Sequence, residues 1–300
     1  MSFDRRGLEI GPFDLFGLTI NPTFHWYGLI IVTGILLAAT LTAWMAKREK
    51  NKDPEHVWNA LIWIVILAVV VARVWHVLFP SVSSVEAGRT AEWYLTHPFD
   101  LHDGPFIVWS GGLSIFGAVI GGALGVILYA YRHKLEILSW LDIAAVAVPL
   151  GQAIGRWGNY VNEELYGKPT DLPWGLPIDN PPVQYAQDTH FHPLFLYESL
   201  WNLLTVGVLL FLWLRYRDRL KNGDFVLLYM ISYGTVRYFL EFLRIEVTVS
   251  GGINVSQVAS AGAALLALAV LVIRHRHALL KHIRRQRDPS SDAKEHTRTI

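Results

Sequence analysis

Seven stretches of about 20 mostly apolar residues punctuate this 300-residue chain, each long enough to cross a hydrocarbon layer as a helix. They run roughly over 25–46, 57–79, 107–131, 138–156, 193–214, 224–243 and 253–273. The fourth is interrupted by Asp142, Pro149 and Gln152, which a helix buried among others tolerates better than one facing lipid. Charged residues make up only 17% of the chain, against about 25% in soluble domains. Twelve Trp and twelve Tyr suit a membrane–water interface. The expected fold class is therefore all-α, a polytopic membrane protein with about seven transmembrane helices. The chain has no cysteine, which excludes disulfides, Cys-ligated metals and a thiol nucleophile of its own. Any thiol chemistry must use a thiol brought by a substrate. No cofactor, no metal and no nucleic-acid partner is expected.

The basic residues set an orientation. KREKNKD follows the first apolar run, RHK the third, RYRDRLK the fifth and RHRHALLKHIRRQR the seventh. All four fall on one side and carry most of the 26 Lys and Arg, so that side reads as cytoplasmic. The opposite side has Arg5, Arg6, Arg89, Lys168 and Arg244. The N-terminus is expected outside and the C-terminus in the cytoplasm. Residues 1–24 have no clean signal-peptide pattern and read as an external segment. Phe13, Leu15, Phe16 and Leu18 suit it to a membrane surface. Residues 25–273 form the expected membrane domain. Residues 274–300 form a basic, polar tail whose first part suits anionic headgroups and whose end, DPSSDAKEHTRTI, reads as disordered.

Three arginines lie in or beside predicted spans: Arg73, Arg156 and Arg237. A charge at a helix centre costs about 2.5–3.5 kcal/mol on insertion scales, so such residues face the bundle interior or a cavity. Arg73 has no local carboxylate, and a structural role and a functional one stay open for it. Tyr233, Arg237, Glu241 and Arg244 are spaced 4, 4 and 3, within a stripe of about 80° on a helix. Glu241 can pair with both arginines and hold one guanidinium fixed while leaving donors free. Arg237 would lie about 10 Å below Arg244, at a depth where a lipid phosphate can be drawn in. A plain helix-stabilising charge ladder is the alternative.

The segment GRWGNYVNEELYG, residues 155–167, crowds polar groups at the outer edge of the fourth run. Arg156 has a planar fork that can bind two phosphate oxygens. Gly155, Gly158 and Gly167 would let the backbone turn and approach a ligand. Asn159, Asn162 and Glu164 supply donors and acceptors for a hydroxylated group. The alternative is a capped helix end with Asn-rich turns. HWYG at 25–28 fits an aromatic belt, the glycines of 111–125 fit close helix packing, and His192-Pro193 fits a helix start.

Together these blocks resemble the prolipoprotein diacylglyceryl transferases, whose signature reads G-R-x-G-N-aromatic-apolar-N-x-E-x-x-G. Gly155, Arg156, Gly158, Asn159, Tyr160, Val161, Asn162, Glu164 and Gly167 match it. WYG, ARVWHVLF, GGLS, HP…LYE and YG…R…E…R follow the family's order, over residues 25–260 or so. The resemblance implies a bacterial plasma-membrane enzyme with its active site toward the outer leaflet. It implies transfer of a diacylglyceryl group from phosphatidylglycerol to the lipobox cysteine of a preprolipoprotein, leaving a thioether and glycerol phosphate. Membrane lipids and the preprolipoprotein signal peptide would be its partners. Carried over by position, Arg156 would bind the lipid and Arg237 would be the second essential arginine. Tyr27, Asn159, Glu164, Gly167, Tyr233, Glu241 and Arg244 match other positions on which the family depends. In many members a histidine lies two residues after the Ser of GG-x-S; here that position is Phe116.

The chemistry asked of these residues is displacement at the glycerol carbon that bears the phosphate. Arg156 and Arg237 would bind phosphate and stabilise the leaving group. Tyr27 and Tyr233 would donate hydrogen bonds, Glu241 would orient Arg237, and Asn159, Asn162 and Glu164 would hold the headgroup. Glu164, His192, His25 or a lipid phosphate could accept the thiol proton. An anion transporter also suits intramembrane arginines, but no inverted repeat is visible and the polar groups cluster toward one side. A non-catalytic lipid-binding protein is the third reading.

Overall fold

The computed structural model describes residues 2–4, 7–9, 13–15, 18–20, 23–100, 103–108, 111–179, 181–245, 247, 249–250 and 252–287. Short strands open the chain. β1 (Ser2–Asp4), β2 (Gly7–Glu9), β3 (Phe13–Leu15), β4 (Leu18–Ile20) and β5 (Thr23–His25) form an antiparallel β1-β2-β5 sheet and a β3-β4 hairpin. The side chains of Phe13, Leu15, Phe16 and Leu18, expected at a membrane surface, lie outside the described set, as do residues 288–300.

The rest is helical: α1 (Trp26–Ala46), α2 (Glu55–Leu78), α3 (Val82–Glu86), α4 (Ala91–Thr96), α5 (Ile115–Arg132), α6 (Ile137–Val161), α7 (Leu194–Tyr216), α8 (Asp224–Leu240) and α9 (Val255–Arg287), with a small β6-β7 hairpin (Val249–Ser250, Ile253–Asn254) before α9. Six of these helices are long and apolar enough to cross a membrane, so the chain is an all-α, multi-pass membrane protein. The sixth predicted span is the exception. α8 has 17 residues, which gives about 26 Å against a hydrocarbon core of about 30 Å.

Two compact units divide the chain. One comprises residues 39–143 and the other residues 1–38 with 144–300. In the first, α2 and α5 lie backbone to backbone. Gly117 and Gly125 leave so little room that an added Cβ would come within 2.5 Å of the Val71 carbonyl oxygen and 2.7 Å of the Ile64 Cα; Gly121 is equally tight against Leu67. This is the close approach expected of the 111–125 glycines.

α5 starts eight residues later than the predicted span. Gly111 and Gly112 sit at φ +95° and +72°, which a right-handed helix cannot include. Residues 103–105 and 111–112 instead wrap the buried Arg73. Its Nε donates to the Pro105 carbonyl at 2.9 Å, and its terminal nitrogens donate to Gly104 at 2.7 Å and to Gly111 and Gly112 at 3.0 Å. Arg73 is thus a structural arginine, its charge held by peptide carbonyls.

In the second unit, Gly234 of α8 faces α9, where an added Cβ would meet the Ser260 carbonyl at 2.7 Å. At the start of α8, the buried Asp224 pairs with Arg274 at 3.2 Å and His275 at 2.7 Å, both from α9. α9 runs for 33 residues, well past the predicted limit at 273, and carries the first part of the basic segment as helix.

Candidate active site

The candidate residues come from α1, α6 and the loop after it, α7, α8 and the chain after α8, all in the second unit. Arg156 does not end its helix, as the spacing suggested. α6 continues to Val161, because Gly155 and Gly158 stay helical. Gly158 serves packing: an added Cβ would strike the Tyr27 ring at 2.6 Å. The turn that follows is made by Glu163 (φ 54°) and Leu165 (φ 59°), two non-glycine residues in the left-handed region. Such strain persists only where the surroundings over-determine it, and it clusters at functional sites.

Arg156 ion-pairs through Nη2 with Glu198 of α7 and donates from Nη1 to the Asn159 side-chain oxygen at 3.2 Å. Asn159 in turn donates to Glu164 Oε1 at 2.7 Å. Tyr27 lies within the electrostatic reach of Glu164 and Arg156. Among the described contacts, Asn162 joins only through its backbone, donating to the Gly158 carbonyl at 3.0 Å.

The second arginine group is built as the spacing predicted, with one change. α8 stops at Leu240, so Arg244 leaves the helix and pairs in an isolated antiparallel bridge with Gly167. Glu241 still sits between the cations, 3.2 Å from Arg237 and 3.9 Å from Arg244. Burial pulls the Arg244 guanidinium below its ordinary value and nearby Arg237 adds to this, while Glu241 and Glu198 oppose it. Arg156 also lowers it, so both arginine groups share one electrostatic neighbourhood. Tyr233 stacks on Tyr229, with ring centroids 6.0 Å apart.

Burial divides the roles. The Glu198 and Glu241 side chains are 4% and 1% exposed, whereas those of Arg156, Arg237 and Arg244 are 21%, 16% and 15% exposed. The carboxylates are sealed behind the guanidiniums, which keep faces for a ligand. Among these five buried or half-buried groups, three positive charges meet two negative ones. The guanidinium faces left open suit a phosphodiester.

Main-chain bonds hold these elements at Gly167. Its N–H donates to the His192 carbonyl at 3.0 Å, Lys168 N–H donates to Leu243 at 2.7 Å, and His192 N–H donates to Lys168 at 3.1 Å. His192 Nδ1 lies 3.1 Å from the Tyr197 hydroxyl. Burial lowers the His192 pKa below its ordinary value, so this imidazole is neutral at pH 7. His25 is exposed and sits opposite Gly7 in the β2-β5 pairing. Phe116, in the other unit, is 67% exposed beside Trp75 and offers no proton acceptor.

Glu198 is the residue that reading the sequence missed. It closes the HPLFLYE block, but its partner is 42 positions away, and no helical spacing connects them. Its removal should matter. Truncating one member of a buried ion pair strands the other charge, at a cost of about 3–5 kcal/mol. Glu198→Gln keeps the shape, so it should still insert and purify but bind anionic lipid at least about tenfold more weakly. Lipid-binding measurements on the purified variant check this.

The fold and this site define a multi-pass helical membrane protein with a sealed arginine–carboxylate centre suited to a lipid phosphate. The sequence profile described as prolipoprotein diacylglyceryl transferase matches residues 15–273. A Synechococcus elongatus protein named phosphatidylglycerol--prolipoprotein diacylglyceryl transferase is 38% identical over 260 residues, covering 84% of this chain and 81% of its own. Proteins of the same name from Chloroflexus aggregans (38% over 289 residues, 88% of each chain) and Trichormus variabilis (36% over 271 residues, 88% of this chain and 87% of its own) agree. The chain belongs to the prolipoprotein diacylglyceryl transferase family.

Proposed function

We propose that this protein transfers the diacylglyceryl group of phosphatidylglycerol to the lipobox cysteine thiol of a preprolipoprotein. The observation that carries this reading is three guanidiniums in two clusters, Arg156 on Glu198 and Arg237 with Arg244 on Glu241, gathered in one electrostatic neighbourhood.

In this reading the phosphodiester sits against Arg156 and Arg237. The substrate's sulfur attacks the glycerol carbon bearing the phosphate. A C–S bond forms, the C–O bond breaks, and its electron pair leaves on glycerol phosphate. Fixed guanidiniums stabilise that charge as it develops, and their field raises the thiolate fraction of a thiol whose ordinary pKa is near 8.5. Glu241 orients Arg237, Tyr27 and Tyr233 donate hydrogen bonds, and Asn159 and Asn162 orient the headgroup. Gly167 acts by joining the strands rather than by touching lipid.

Glu164 takes the thiol proton. Its Oε1 is anchored by Asn159 and its side chain is exposed, so the proton can pass on to water. Glu164→Gln should therefore lose about 10²- to 10⁴-fold in rate. The double variant His25→Gln, His192→Gln should keep its activity within a few-fold, since the one is exposed and the other is bonded to Tyr197. A double variant as inactive as Glu164→Gln would move the acceptor role to a histidine. Initial-rate assays separate the cases.

The distribution of basic residues supports an N-terminus outside, a C-terminal basic segment in the cytoplasm and a site toward the outer leaflet of a bacterial plasma membrane. On that orientation residues 1–24 are external, 25–273 form the catalytic domain and 274–300 are cytoplasmic. Incubating the purified protein with phosphatidylglycerol and a lipobox peptide tests the function. A thioether-linked product by mass spectrometry is expected; solute flux in vesicles without product would sink the reading.

A further inference from the structure

α6 and α7 pass the ion pair in opposite directions. Trp157 Nε1 donates to Ser199 Oγ at 3.3 Å, and Ser199 Oγ donates to the Ala153 carbonyl at 2.9 Å. One turn beyond Arg156 on α6 is Gln152, and one turn beyond Glu198 on α7 is Asn202. Steps of four residues return to the same helix face. α8 adds a third stripe, Arg237, Tyr233 and Tyr229. The Tyr229 hydroxyl is hydrogen-bonded by the Gln152 side chain and lies within reach of the Glu198 and Arg156 charges. The polar surface of the phosphate site thus continues one turn deeper into the bundle.

Asn202 stands out there. It is 1% exposed, and its Nδ2 has no hydrogen-bond partner among the described residues. An unsatisfied amide donor in an apolar interior costs free energy until an acceptor arrives. Gln152 Oε1 is also without a partner, but it is an acceptor and cannot hold another acceptor.

We infer that Asn202 is a lipid-recognition residue whose Nδ2 donates to an ester carbonyl of the bound diacylglycerol. The inference rests on the functional reading above. A phosphatidylglycerol anchored at Arg156 carries two ester carbonyls on the same glycerol, a few bonds below its phosphate. One helical turn, about 5.4 Å, is the corresponding depth. An ester carbonyl is an acceptor with no donor of its own, and water is scarce at that level to replace Asn202. The residue therefore selects ester-linked over ether-linked lipid, a distinction the arginines cannot make, because both lipids share one headgroup.

The test compares diester phosphatidylglycerol with its dialkyl-ether analogue in transfer assays on the full-length protein. Wild type should show a KM about tenfold higher for the ether lipid, the size of one hydrogen bond to a buried donor. Asn202→Leu should raise KM for the diester about tenfold with kcat nearly kept, and the two lipids should become equivalent. Equal use of both lipids by wild type overturns the assignment without any variant. So does an Asn202→Leu loss that is the same for both lipids, which would mean a packing or buried-water role. No transfer from either lipid by wild type would overturn the functional reading and this assignment with it, a result distinct from equal transfer.

Discussion

Arg156→Ala and Arg237→Ala should each lower diacylglyceryl transfer by about 10³-fold or more, the scale on which a preorganised charge stabilises a transition state. The two should fail differently. Arg156 is paired with Glu198, so its loss leaves a buried carboxylate without a cation. The Ala variant should therefore also lose some stability, and lipid binding should fall with rate. Arg237 shares Glu241 with Arg244. Its loss leaves that carboxylate a partner, so Arg237→Ala should stay folded and lose kcat more than lipid affinity. Arg→Lys should rescue only in part at either position, because an ammonium lacks the fork that grips two oxygens. Steady-state kinetics with thermal melting of the same preparations would show the split. Full activity with ordinary lipid affinity in either Ala variant would remove that arginine from the mechanism.

Gly167→Ala is the second large effect. No unusual φ explains the glycine; crowding does. A Cβ there would lie 2.6 Å from the His192 Cβ, 3.0 Å from the Leu243 carbonyl oxygen and 3.1 Å from Leu194 Cδ2. Neither a backbone oxygen nor a Cβ can move aside as a flexible side-chain tip can, so the main-chain bonds joining residues 167–168, 192 and 243 must open. Arg244 pairs with Gly167 itself, and Glu198 lies six residues beyond His192, so one methyl group disturbs both arginine groups. Transfer should fall about 10²-fold or more, since a misplacement of about 1 Å costs that much. Heavier cleavage of the 168–190 loop by protease should accompany it. A Gly167→Ala protein with normal kinetics and normal protease resistance would show that the junction tolerates the added carbon.

Much of this was legible in the chain. Helices announce themselves by apolar length, and Arg237, Glu241 and Arg244 could be grouped because their spacing is local. Where the reading failed, the determinants were distant or conformational. Nothing local to Arg156 points 42 residues ahead to Glu198. Gly155 and Gly158 looked like turn residues, yet they stay helical and pack against Ile31 and Tyr27 of α1, and Glu163 and Leu165 make the turn instead. The late start of α5 depends on carbonyls gathering around Arg73, a contact between segments 31 to 39 positions apart. Arg244 left the helix because a strand-like bridge to Gly167 competed for its backbone.

The length of α9 has a mechanical consequence. Its 33 residues make a rod of about 50 Å, and even inclined by about 40° such a rod outruns a hydrocarbon layer of about 30 Å. At least one end must therefore protrude as a stiff mast. Arg274, His275 and Arg276 on it are then held at set angles around an axis, as on a spindle, and do not sweep the volume that a slack tether would.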